Sequence, residues 1–172
     1  MSRALLLCGL CYGIAFVNIR VPPARGVGMR AAPKDFLEQV LGGIPEMELG
    51  EGRELEPGLE QWKVVCKHEA LPQQFAFSAY LSKGDGLRSP FTLLSKLPKP
   101  AGMETSEAMA FANEWNMNSG LLGTLFVLSD DLHLKIEVDF NWLAESPQSL
   151  IDLLRTFLAA NVRLYEGWQA YR

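Results

Sequence analysis

Carboxylates are the side chains that come closest to a chemical arrangement in this sequence. Glu137 and Asp139 fall on one side of an alternating segment, Asp130 and Asp131 are adjacent, and His133 lies between the two pairs. Such groupings are the raw material of general acid–base catalysis or of an oxygen-rich metal site. A small metal-dependent or acid–base enzyme would need Glu137, Asp139 and His133 to converge in one pocket. The competing expectation is a solvated face, because carboxylates on exposed strands and turns are ordinary surface residues. His68 is the only other histidine, and no HxxxH or HExxH spacing exists. GxGxxG, GxxxxGK[ST] and GxSxG are also missing, and the glycines of KGDGLRS fit a turn better than a phosphate loop. Cys8 and Cys11 form a CxxC inside an apolar run near the N-terminus, where sulfur is tolerated as a hydrophobe. Cys66 alone remains beyond that run, and one thiol makes neither an intramolecular disulfide nor a metal framework. The expectation is a non-enzymatic protein with no cofactor and no metal.

The elements that would position these residues are easier to read. Leu132, Leu134, Ile136, Val138 and Phe140 alternate with His133, Lys135, Glu137, Asp139 and Asn141, the period of a strand with one buried face. Residues 121–128 form a second β-prone run, and Ser129, Asp130 and Asp131 supply the turn of a hairpin. Before it, Ala108, Phe111, Ala112 and Trp115 recur at helical spacing within 102–116, with Thr105 or Ser106 as candidate caps. After it, Ser146 and Pro147 make a helix start, and Leu150, Leu153, Leu154, Phe157, Leu158, Leu164 and Trp168 follow as an apolar stripe. Upstream, residues 62–67, 74–81 and 91–97 read as three strands, with Phe75, Phe77, Ala79 and Leu81 on a core face. Pro33 to Leu41 reads as a short amphipathic helix ended by Gly42 and Gly43. Residues 44–60, rich in Glu, Gly and Pro, have no durable period and read as an acidic linker. The expected class is α+β, an antiparallel sheet of about five strands with helices packed on it, in the order α-β-β-β-α-β-β-α.

Length and composition bound the rest. With 172 residues, 48% hydrophobic and 10% aromatic, the chain supports one domain with a sizeable core. Its net charge of −4 hides an asymmetry: Arg3, Arg20, Arg25 and Arg30 lie in residues 1–30, which hold no acid. Without those four of the 16 basic residues, 12 face 20 acids and the charge is −8. That balance excludes a phosphate-tracking surface, so no nucleic-acid partner is expected. Residues 4–17 form an apolar run behind Arg3, shorter than the ~20 residues needed to span a bilayer. Gly13, Ile14 and Ala15 place small residues before Phe16 as a signal peptidase requires.

A signal segment followed by a basic, acid-free stretch opening with phenylalanine resembles the two-part presequence of proteins sent to complex plastids. The resemblance implies a plastid address; arginine-rich leaders also suit mitochondria, and a signal peptide alone would mean secretion. The division expected is a presequence over 1–30, a short helix with acidic linker over 31–60, and an α+β domain over 61–172, with no transmembrane helix in the mature chain.

The helix end Asn113-Glu114-Trp115-Asn116, the acidic hairpin turn, the strand end at Asp139 and the final helix together resemble the YbjN domain family, described in bacteria as sensory transduction regulators. The resemblance spans Phe36 to Tyr171 and is carried best by Glu107 to Trp168. Gly120, Leu121 and Leu122 depart from it, standing where a basic and aromatic pair is common. It implies a fold similar to type III secretion chaperones, small α+β domains that bind protein segments and often dimerise, and it brings no catalytic residues. Asn113, Trp115, Asn116 and Asp139 are the family-motif positions. The function implied is a chaperone-like or regulatory adaptor that binds protein partners, with a homodimer among the options. The alternative is a peripheral structural subunit of a photosynthetic membrane complex. Trp142, Trp168 and Tyr171 are candidate apolar anchors for a partner, and the competing expectation is that they pack inside.

Overall fold

A computed structural model of the protein describes residues 33–41, 43–72, 75–82, 89–118, 123–144 and 146–170, with the side chains of residues 33, 34, 142 and 144 excepted. The leader with its CxxC, the turn at Gly84 to Gly86, the departure at Gly120 to Leu122 and the candidate anchor Tyr171 lie outside these residues, as does the side chain of Trp142. Ten elements follow in order: α1 (Pro33–Leu41), β1 (Met47–Glu56), β2 (Leu59–Cys66), β3 (Ala76–Ser82), β4 (Pro90–Leu97), α2 (Thr105–Asn118), β5 (Thr124–Leu128), β6 (Asp131–Asp139), α3 (Phe140–Ala144) and α4 (Pro147–Ala170). The class is α+β. All six strands join one antiparallel sheet in the order β1-β2-β3-β4-β6-β5.

One strand more than expected is present, and it comes from the acidic linker. β1 buries only Met47 fully and exposes the residues from Glu51 onward, so it has no alternating signature to read. Its pairing with β2 is interrupted by irregularities between Leu49 and Gly52 and between Glu54 and Glu56. Gly52 is required at the first of these: a Cβ there would collide with the Trp62 indole. Pro57 and Gly58 then close the hairpin, Gly58 at φ 85, as proline followed by glycine in a tight turn allows.

The other expected elements form close to where their periods place them, except that Phe140 and Asn141, read as the end of a strand, open a short helix, α3, because Asp139 caps it. Trp62, Val64, Phe77, Ala79, Leu81, Phe91, Leu93, Leu97, Leu132, Leu134 and Ile136 all point to one side, into a single core. α4 is about 36 Å long at 1.5 Å per residue, enough to cross the sheet. It buries Leu150 through Trp168 at helical spacing against that side, with Phe157 edge-on to Phe77 at 5.0 Å. Inside this core, Ser95 of β4 donates to Asn161 Oδ1 at 2.6 Å, and Asn161 Nδ2 donates to the Phe157 carbonyl at 2.8 Å. A buried amide is tolerated there because both ends are satisfied.

α2 connects β4 to β5 at the far edge of the sheet and packs on β5. Its start is held by Glu107, whose carboxylate accepts from the Glu104 N–H at 2.9 Å, the reciprocal half of a capping box. Neither Thr105 nor Ser106 is the cap; the Thr105 hydroxyl instead reaches Asp130 in the β5–β6 turn. Ser129 and Asp130 both have positive φ, 49 and 70, the pattern of a two-residue hairpin turn with the twist of the strands.

Candidate functional site

Every helix lies on the core side of the sheet, so among the described residues the opposite face has no cover. The antiparallel register lines up its side chains in rows. Arg53, Gln61, Tyr80, Thr92 and Glu137 form one row from β1 to β6; Lys63, Ser78, Leu94, Lys135 and Thr124 form the next, from β2 to β5. Val65 and Ala76 continue the face on β2 and β3, and Lys96, His133 and Phe126 do so on β4, β6 and β5. Most of these residues are half-buried by one another. The face therefore offers short hydroxyls and aliphatic carbons between longer cationic stems, a surface that can take a flat or extended partner.

At its β1 side the face is concave. A cleft of about 500 Å³ lies against the bulged stretch of β1, with Glu51, Arg53, Gln61, Lys63, Ala76 and Ser78 on its walls. The pairing of β1 with β2 is irregular at this point, and a β-bulge bends its strand. A polar chain ties three strands together there. Arg53 Nε donates to Gln61 Oε1 at 2.8 Å, and Gln61 Nε2 donates to Ser78 Oγ at 3.0 Å and to Tyr80 Oη at 2.9 Å.

The carboxylates and histidine of the enzyme reading do not converge. Glu137 pairs with Lys135 at 2.7 Å, and that hydrogen bond holds its carboxyl below the usual range. Asp139 accepts the Asn141 N–H at 3.0 Å and the Ser89 N–H at 3.3 Å, which makes it the cap of α3. Asp130 is held low by the Thr105 hydroxyl and by Lys99 at 3.3 Å, while Asp131 turns to Lys96 at 2.5 Å. His133 stacks on Phe126 with centroids 5.4 Å apart, and its Nδ1 is buried with no hydrogen-bond partner. Burial lowers its pKa, the most strongly among several influences. Cys66 is buried and its thiol is pushed up to about 12, which removes the thiolate that reactivity needs. Among the described residues, no group of three His, Cys, Asp or Glu side chains could hold a metal ion.

The residues of the Asn113-Glu114-Trp115-Asn116 helix end lie towards the other sheet edge. Asn116 Nδ2 donates to the Leu125 carbonyl at 2.8 Å and Asn116 Oδ1 accepts the Leu125 N–H at 2.9 Å, so one amide replaces a missing neighbour strand on β5. Trp115 is half-buried against Phe111, and Asn113 is exposed. Trp168 is no surface anchor. It is 1% exposed, packs on Phe111 at 4.8 Å and donates from Nε1 to the Pro98 carbonyl at 3.2 Å. Gln61, Lys63, Ser78 and Arg53 were not singled out from the sequence. Lys63 alternates with Trp62 and Val64, which gives its face, but Arg53 lies in the aperiodic stretch and its row follows only from strand pairing.

No helix of the described residues is long and apolar enough to cross a membrane. Comparison of the chain with protein-family models, with curated proteins and with solved structures finds no match.

Proposed function

We propose that the protein is a non-enzymatic protein-binding domain, a chaperone-like or regulatory adaptor of the kind its YbjN-like sequence features imply, addressed to an organelle, a plastid, by its first 30 residues. The docking surface is the uncovered sheet face. The observation that carries this reading is the one-sided cover of a six-stranded sheet, whose other side, among the described residues, is half-buried and mixed in polarity. Isolated surface residues need no explanation, but a contiguous sheet face with aliphatic and hydroxyl side chains between paired charges has the make-up of a non-obligate interface.

A second reading has its own observation. On the α2 flank, Met109 and Met117 are exposed, the latter by 82%, and Leu128 is exposed on neighbouring β5. Exposed methionines and a leucine on these two elements give an adaptable apolar surface for attachment to a larger assembly, as in a peripheral subunit of a plastid membrane complex.

The test is capture of partners by the tagged full chain from its own organelle extract, with native size measured on the same sample. The adaptor reading expects a small assembly with defined clients that Leu94→Asp, on the open face, no longer retains while its melting curve stays cooperative. Clients retained in full by Leu94→Asp would sink it. Recovery at the size of a large complex, lost with Met109→Ser and Met117→Ser instead, would establish the second reading in its place.

A further inference from the structure

Cations on the open face are mostly neutralised by the protein itself. Lys67, at the margin, pairs with Glu48 at 2.9 Å, Lys96 with Asp131 at 2.5 Å and Lys135 with Glu137 at 2.7 Å. Two cations differ, and both line the same cleft. Among the described residues Lys63 makes no ion pair, and Arg53 is engaged only through Nε, with the neutral oxygen of Gln61. Glu51 shares the cleft and closes no ion pair on either of them.

The geometry around Arg53 is that of a held donor. Gln61 is fixed by Ser78 and Tyr80, so the hydrogen bond from Arg53 Nε orients the guanidinium. Its terminal nitrogens stay uncommitted among the described residues. Ser78 Oγ accepts from Gln61 and keeps its own proton to donate. A guanidinium fork, an ammonium and a hydroxyl in one cleft outnumber its single carboxylate, Glu51, which pairs with neither cation, and a further carboxylate is the planar anion that matches them. The chain as a whole is acidic, which repels polyanions at a distance. The charge must therefore arrive singly and on a neutral carrier. Val65, Ala76 and Leu94, on the same face, give apolar flanks to such a carrier.

We infer that the cleft receives one acidic side chain of a partner polypeptide, held by Arg53 and Lys63 with help from Ser78, while the uncharged residues on either side of it lie on the open face. This rests on the open face being the docking surface, and it adds the chemistry of what docks: an extended segment with a single carboxylate among apolar residues.

The test is calorimetric titration of the full chain with a blocked heptapeptide carrying one glutamate among valines and glycines, against the same peptide with glutamine. The glutamate peptide is expected to bind roughly tenfold tighter, the size of one charge-assisted hydrogen bond. That preference disappears in the double variant Arg53→Gln, Lys63→Gln and shrinks as salt is raised. Equal binding of the two peptides, binding of neither, or a preference that survives the double variant would overturn the inference, as would acetate matching the peptide. Failure of this inference and failure of the docking reading are separable. Clients lost on Leu94→Asp but kept by the double variant remove the carboxylate site and leave the docking surface; clients kept by both variants remove the two together.

Discussion

Leu93 and Leu94 are neighbours in β4 and belong to different worlds. Leu93 points into the core and is 0% exposed; Leu94 points the other way, between Ser78 and Lys135, and is half-buried by sheet neighbours alone. The same holds along the sheet: one face meets α4 and the other helices and is almost wholly aliphatic and aromatic, while the other carries Arg53, Lys63, Lys96, Lys135, His133 and Glu137 among hydroxyl, amide and scattered apolar side chains. The difference teaches that the core face carries the stability of the fold and leaves the other face free for the proposed docking. Changes on the first act on the whole fold, and changes on the second act on what the fold can hold.

The sharpest way to break that division is the pair itself. Leu93→Ala should lower unfolding free energy by about 2–5 kcal/mol, the range for a buried leucine that leaves a cavity. Leu94→Ala should cost under about 1 kcal/mol. Urea denaturation of both variants checks this, and similar losses would mean that something covers the open face in the native protein.

Next in size is the polar exception on the core face. Ser95→Ala leaves Asn161 Oδ1 buried without its donor and should cost about 1–3 kcal/mol, more than the removal of one oxygen from any open-face hydroxyl. Ser78→Ala and Thr92→Val are the comparison in the same denaturation series.

Smaller still is the edge of the sheet. Asn116→Ala removes two hydrogen bonds to Leu125, about 1 kcal/mol each at most. Amide exchange at Leu125 should quicken well beyond the loss in global stability, because the N–H then faces solvent. Unchanged exchange there would mean that α2 protects the edge by cover alone.

The effects of pH are absent at neutrality and develop only on either side of it, and they too separate the faces. On the core side, Cys66 keeps its proton in the native state up to about pH 12, whereas an unfolded thiol loses it near 9.0. The unfolded state binds fewer protons between those values, so stability falls as pH rises through that window. Cys66→Val should remove this part of the slope, with thermal melts from pH 8 upward as the measure. On the open face, burial lowers the His133 pKa below its ordinary 6.5. The unfolded state then binds more protons as pH falls from 7, so stability present at neutral pH is lost in that direction, and His133→Gln should flatten that limb.

Much of the architecture was legible in sequence. The alternation in 132–138 set which side chains of β6 face inward, though the strand stops at Asp139, before Phe140, and Ser146-Pro147 marked the start of α4. Ser129 and Asp130 marked a turn whose positive φ angles suit those residue types. β1 was missed because an edge strand needs only one buried anchor and a partner to pair with. Glu54, Leu55 and Glu56 are exposed, and the bulges break what period remains. The one usable signal was Pro57-Gly58, a turn between two polar stretches. The site was less legible than the fold. Asn116 was singled out for its company with Trp115, whereas its role is to stand in for a strand. Trp168 was weighed as a partner anchor and lies in the core, since a helix stripe that covers a sheet buries its aromatic end as well.

The sequence by itself determined the faces of the strands, the stripes of the helices and the positions of most turns, because these depend on side-chain periods of two and 3.6 within one segment. Tertiary structure alone decided the strand order β4-β6-β5, the recruitment of β1, the pairing of Lys96 and Lys135 with Asp131 and Glu137, and the meeting of Arg53 with Gln61 and Lys63 beside a cleft. The physical reason is register. A cross-strand neighbour is fixed by backbone hydrogen bonds between segments distant in the chain, and a shift of one residue would turn every such pair to the opposite face.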